Sequence, residues 1–186
     1  MPEKFRNKYR IPSARLQNWD YGANGAYFIT ICTKNMNHFF GEIVDKKMNL
    51  NAAGTLAEEY WIEIVKQFPF IELGNFQIMP NHMHGILTID KSREFVKMRV
   101  MTSEHPQREI GGFAGENNPM LLENIATIIR WYKGRCTFEI RKTNKNFEWH
   151  SRFHDHIIRN SESFERIQNY IVENPSKWDE DKFFKK

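Results

Sequence analysis

The chain of 186 residues reads as an α+β protein of the ferredoxin-like, split βαβ kind: an antiparallel sheet with two helices on one face and a further C-terminal helix. Three observations predict this. Apolar stretches of strand length lie at Gly25–Thr33, Phe76–Pro80, His82–Ile89 and Asp155–Ile158. Two longer stretches with helical periodicity, 51–68 and 120–141, separate them. A segment with helix-start signals at Asn160 and Ser161 follows the last strand.

In chain order, residues 1–24 form a basic arm: Lys4, Arg6, Lys8, Arg10 and Arg15 stand against a single acid, Glu3, in the first fifteen residues. Gly25–Thr33 is a buried strand, and Phe39–Leu50 a hairpin turning at Asp45-Lys46-Lys47. From Asn51 to Phe68, Leu56, Tyr60, Trp61, Ile64, Val65 and Phe68 fall on one helical stripe. Pro80-Asn81 supplies a turn between the next two strands. Residues 91–118 are polar and rich in turn formers, with Gly111-Gly112, Gly115 and Asn117-Asn118-Pro119, and read as a flexible insertion. The second helix, Met120 to Arg141, turns Leu121, Leu122, Ile125, Ile128, Ile129, Tyr132 and Cys136 inward. Pro175 disfavours helical geometry at Asn174 and ends the last helix. The domain therefore spans 25–178, with 179–186 as a charged tail.

Composition narrows the function. The net charge is +4 with a pI near 9.0, and the cations cluster. Arg130, Lys133, Arg135, Arg141, Lys142, Lys145 and Arg152 are interleaved with Trp131, Tyr132, Phe138, Phe147 and Trp149, a pattern suited to a groove that follows a phosphate backbone and stacks bases. Any one of these cations alone reads as a solvated helix face. Cys32 and Cys136 make no disulfide framework and read as buried reduced thiols. There is no apolar run of about 18 residues and no signal-peptide core, so cytoplasmic residence without a membrane partner is expected.

Two motifs carry chemistry. In His82-Met83-His84 alternate strand positions share a face, so the imidazoles project together about 6–7 Å apart along the backbone, a spacing that suits one divalent metal. Tyr170 and Asn174 are i and i+4 on a helix and share a face as well. A phenol with a pKa near ~10 is a weak nucleophile unless a metal polarises the phosphate it attacks. The bland alternatives are a surface histidine pair and a tyrosine packed in the core, since Tyr170 lies only about 60° around the helix from Ile167. His154-Asp155-His156 is a second His-x-His and the runner-up ligand pair; packing or DNA contact is the preferred reading for it.

The chain resembles the single-tyrosine HUH transposases of insertion-sequence type, most closely their REP-associated tyrosine transposase branch. Four stretches carry the resemblance in order: Arg15-Leu16-Gln17-Asn18-Trp19-Asp20-Tyr21 with Gly25–Thr33; Met79-Pro80-Asn81-His82-Met83-His84-Gly85; Trp149 through Asn160; and Tyr170-Ile171-x-x-Asn174-Pro175. The resemblance implies that His82 and His84 bind Mg²⁺ or Mn²⁺, with Asn174 as third ligand, directly or through water. It implies that Tyr170 forms a 5′-phosphotyrosine link and frees a 3′-hydroxyl. The substrate would be single-stranded DNA, at hairpin or repeat sequences, contacted by Arg15, Arg130, Lys133, Arg135, Arg152 and Arg159. A homodimer that exchanges the tyrosine helix is one assembly known among such proteins. Two rival readings stay open: a non-catalytic, domesticated DNA-binding protein of the same fold, and a metal-dependent phosphodiesterase that uses water.

Overall fold

The computed structural model describes residues 4, 5, 8, 9, 19–92 and 123–184. Near the N-terminus β1 (Lys4–Phe5) pairs with β2 (Lys8–Tyr9). The body follows as β3 (Gly25–Cys32), β4 (Gly41–Val44), β5 (Lys47–Leu50), α1 (Ala52–Gln67), β6 (Ile71–Ile78), β7 (His82–Ile89), α2 (Ile125–Ile140), β8 (His154–Ile158) and α3 (Ser161–Glu173). Arg15 and residues 93–118 of the expected insertion lie outside the described residues.

Local signals account for most element ends. Asn51, Asn124 and Asn160 cap α1, α2 and α3, each accepting backbone N–H bonds from the first turn. The β4–β5 hairpin turns through Asp45 and Lys46, both with positive φ, the backbone hand that matches strand twist. β6 starts at Ile71, five residues before the start read at Phe76. Its register shifts between Leu73 and Phe76, and this irregularity breaks the alternation that marks a strand.

The main sheet is antiparallel throughout, in the order β6-β7-β3-β8. This is the split βαβ arrangement, with β3 and β7 central. Its two faces do different things. Tyr27, Ile29 and Ile31 of β3 and Met83, Leu87 and Ile89 of β7 are buried with Trp61 and Ile64 of α1 and Ile128, Tyr132 and Cys136 of α2. The opposite face buries Ile86 and Ile158 against Ile171, with Ala26, Phe28, Phe164 and Ile167 around them. α3 therefore crosses the face that α1 and α2 leave open. Cys136 is buried, but Cys32, expected to be so, is only half-buried, because strand alternation turns it to the α3 face beside His82. Among the described residues no helix is long and apolar enough to cross a membrane.

The close approach of α1 to the histidine strand depends on Gly85, where a Cβ atom would stand 2.4 Å from Trp61 Cζ2. Gly85→Ala should cost about 1–3 kcal/mol, since both the ring and the strand backbone are confined. Urea unfolding measures this; an unchanged midpoint would show that the Trp61 ring moves aside freely.

Candidate active site

His82 and His84 are 0% and 1% exposed, on a strand paired along both edges. Their register opposite Cys32 and Thr30 puts both rings on the α3 face. The two Nε2 atoms stand 3.1 Å apart. Each ring's other nitrogen has a partner: His82 Nδ1 lies 2.8 Å from Asn81 Oδ1, and His84 Nδ1 lies 2.8 Å from Thr30 Oγ1. Asn81 cannot turn its amide round, because its Nδ2 donates to the carbonyls of Met36 and Phe183. Its Oδ1 thus accepts from His82 Nδ1–H, which leaves the lone pair on His82 Nε2. Phe28 stacks on His84, and Phe183 and Trp178 pack against His82.

Burial sets the charge state of the pair. Desolvation pushes His82 down to about 3, and His84 is held well below its ordinary value by desolvation and then by His82. Both rings are neutral at pH 7, the form that binds a metal.

Tyr170 comes to the same point from α3. It is 40% exposed, and its hydroxyl lies 3.2 Å from His84 Nε2 and 3.5 Å from an Asp181 oxygen. Pro175 does not keep Asn174 out of helical geometry as expected: Asn174 stays helical (φ −55°, ψ −43°), and α3 passes straight into a 3₁₀ stretch, Asn174–Glu180, with Pro175 in its first turn, where a missing N–H costs nothing. The backbone departs from helical geometry at Lys177 (φ −111°, ψ 22°), and the chain then brings Asp181 to the tyrosine. Asn174 Nδ2 donates to Asp181 Oδ2 at 2.7 Å, and the Phe183 amide donates to Oδ1 at 2.7 Å. The Asn174 side-chain oxygen Oδ1 is buried and has no hydrogen-bond partner among the described residues.

His82, His84 and Asp181 place one ligand atom each within 4.8 Å of one another. Two neutral imidazole nitrogens and a carboxylate are compatible with a divalent cation; nitrogen donors suit zinc or manganese, and the carboxylate suits magnesium or manganese. Burial first, and then the Asp181 charge, pushes the Tyr170 phenol up to about 12. A phenol next to a carboxylate is a poor nucleophile, and nearby positive charge would correct that.

The structure thus brings together His82, His84, Tyr170 and Asn174. Asn174, expected as third ligand, grips Asp181, which takes the third corner of the cluster. Asp181 lies in the segment read as a charged tail, and through Phe184 that segment packs over the site. Phe183 and Phe184, adjacent aromatics in a stretch read as a solvated tail, were the available signal. The DNA-contact candidates are dispersed. Arg130 and Lys133 line a groove between α2 and residues 148–153, with Phe138, Trp149 and Phe153. Arg135 stands over the Tyr60 ring instead, and Arg152 and Arg159 are exposed around β8. His154 and His156 are exposed on β8, opposite Thr30 and Phe28, one strand removed from the buried pair.

No family model matches the chain. An uncharacterized protein of Haemophilus influenzae is 33% identical over 176 residues, covering 92% of each chain. The chain belongs to the same family. The solved structure of a REP-associated tyrosine transposase bound to a REP hairpin superimposes with a TM-score of 0.54 at 20% identity, covering 90% of this chain and 74% of that one. Family and fold thus come from different relatives: the Haemophilus protein shares a third of the sequence, and the tyrosine transposase shares the fold.

Two imidazoles held below their ordinary range take up protons on unfolding. Stability should therefore fall as the pH is lowered below about 6.5, continuing toward 3 for His82, at up to about 1.4 kcal/mol per pH unit for each ring. Denaturant unfolding at pH 7.5, 6 and 5 should show this decline, and it should be shallower in His82→Gln/His84→Gln. An equal decline in both proteins would contradict the buried neutral pair.

Proposed function

We propose that the protein is a single-tyrosine transposase or nickase that cleaves and rejoins single-stranded DNA, at hairpin or repeat sequences. The observation that carries this reading is the Tyr170 hydroxyl 3.2 Å from a His84 nitrogen that is itself part of the His82–His84–Asp181 cluster. A nucleophile and a metal-type donor set meet at one point, brought there by a central strand and by the C-terminal helix with the residues after it.

In this reading the Tyr170 oxygen attacks the scissile phosphorus. A tyrosyl O–P bond forms as the phenol gives up its proton, toward Asp181 or solvent, and the P–O3′ bond breaks, so the 5′-phosphate stays on Tyr170 and the 3′-oxygen takes up one proton and leaves as a hydroxyl. Attack by a 3′-hydroxyl on the same linkage reverses the step and rejoins strands. His82, His84 and Asp181 would hold Mg²⁺ or Mn²⁺, with the unpartnered Asn174 oxygen as a further donor. The ion, when bound, supplies positive charge that polarises the phosphate and offsets charge developing in the transition state. Asn174 and the Phe183 amide hold the carboxylate in place. Phe28, with its ring edge-on to Tyr170, limits the directions the phenol can take.

A single strand suits such a site, since the attacked phosphate must be reached in line with the phenol. The likeness to a hairpin-bound transposase supports a hairpin substrate. Arg130 and Lys133, in their aromatic-lined groove, are proposed backbone contacts, and Arg15, Arg135, Arg152 and Arg159 are proposed as further ones. Cytoplasmic residence fits this activity, and since Tyr170 reaches the histidine of its own chain, the tyrosine helix acts in cis in this reading.

Incubation with hairpin-bearing single-stranded DNA and Mn²⁺ should give a covalent protein–DNA adduct on a denaturing gel, and Tyr170→Phe should abolish it. Asp181→Ala should slow adduct formation by at least about tenfold. Cleavage that persists in Tyr170→Phe would mean a water nucleophile; binding without cleavage would mean a DNA-binding module.

A further inference from the structure

The histidine pair is asymmetric in its partners, and this asymmetry has a consequence for how a cation enters. His82 Nδ1 faces an acceptor that cannot become a donor, because the Asn81 amide is pinned by two backbone carbonyls. His84 Nδ1 faces the hydroxyl of Thr30, 3% exposed, which can either donate or accept. Two Nε2 atoms at 3.1 Å need a proton or a cation between them, since two lone pairs repel. His82 has its proton on Nδ1, so in the metal-free protein the proton between the rings belongs to His84 Nε2. Tyr170, 3.2 Å from the same nitrogen, then offers that proton a second acceptor and directs its own hydrogen to Asp181.

We infer that His84 alone changes tautomer when a divalent cation binds, its proton passing from Nε2 to Nδ1 while the Thr30 hydroxyl turns from donor to acceptor. This rests on the metal reading above. No proton is gained or lost overall: both rings are neutral before and after, and only the position of one proton changes. Thr30 is thus a positioning residue. It satisfies His84 Nδ1 in either state and lets one buried ring serve as a hydrogen-bond donor to its neighbour and as a ligand. A coordinated imidazole is the stronger N–H donor, so loss of the Thr30 oxygen weighs more on the bound form than on the free one.

Side-chain ¹⁵N NMR of the histidines in the full chain, without metal and with Zn²⁺ as a diamagnetic probe, tests this. The expected metal-free spectrum shows His82 as the Nδ1–H tautomer and His84 as the Nε2–H tautomer; with Zn²⁺ both become Nδ1–H. Thr30→Val should weaken Zn²⁺ binding by about 10–100-fold, and Thr30→Ser should restore it. His84 already Nδ1–H without metal overturns the inference and leaves the metal site standing; His84 still Nε2–H with Zn²⁺ bound overturns the inference and removes His84 from the ligand set as well. Zn²⁺ affinity that is unaltered in Thr30→Val overturns the inference and leaves the metal site standing. Failure of the wild-type protein to bind Zn²⁺ or Mn²⁺ removes the metal reading, and the tautomer change falls with it.

Discussion

His82 and His84 share a strand that is paired on both edges, and the rest of the site depends on their buried Nε2 atoms being held 3.1 Å apart. A central strand cannot slip its register without turning Met83 and Leu87 out of the core, so the rings are fixed by the same bonds that stabilise the sheet. Their burial keeps them neutral, and their Nδ1 partners Asn81 and Thr30 fix their rotation. A phenol and a carboxylate brought to that point meet two rings whose charge state is already set.

The sheet separates stability from chemistry. One face carries the large aromatic and aliphatic core against α1 and α2; the other has a small apolar patch that docks α3 and leaves room for polar groups beside it. Docking α3 through Ile167 and Ile171 points Tyr170 at His84 while keeping the ring partly open to solvent. The 3₁₀ stretch after the helix, broken at Lys177, then turns the chain, so the residues that follow cover the histidines. Asp181 and Phe183 reach the site by that route, and the hydrogen bond from Asn81 to the Phe183 carbonyl ties the chain's end to the histidine strand.

What could be read in advance was local. The histidine alternation, the asparagine caps, the Asp45-Lys46 turn and the helical stripes each depend on neighbours within a few residues, and the order of elements followed from them. The start of β6 escaped because a register shift spoils the alternation around Gly74. Asp181 escaped for a different reason: its proximity to His84 comes from a chain reversal after α3, and no spacing rule connects the two. Asn81 was read as a turn residue, though its side chain also fixes the His82 tautomer. Charge in the last eight residues masked the aromatic ones, and it is these that pack on the site.

Diffraction from crystals soaked in Mn²⁺, with anomalous scattering recorded above the manganese edge, tests the central claim most directly. The expected result is one peak bounded by His82 Nε2, His84 Nε2 and the Asp181 carboxylate, within reach of the Tyr170 hydroxyl. No peak there, or a peak between His154 and His156 instead, would contradict it.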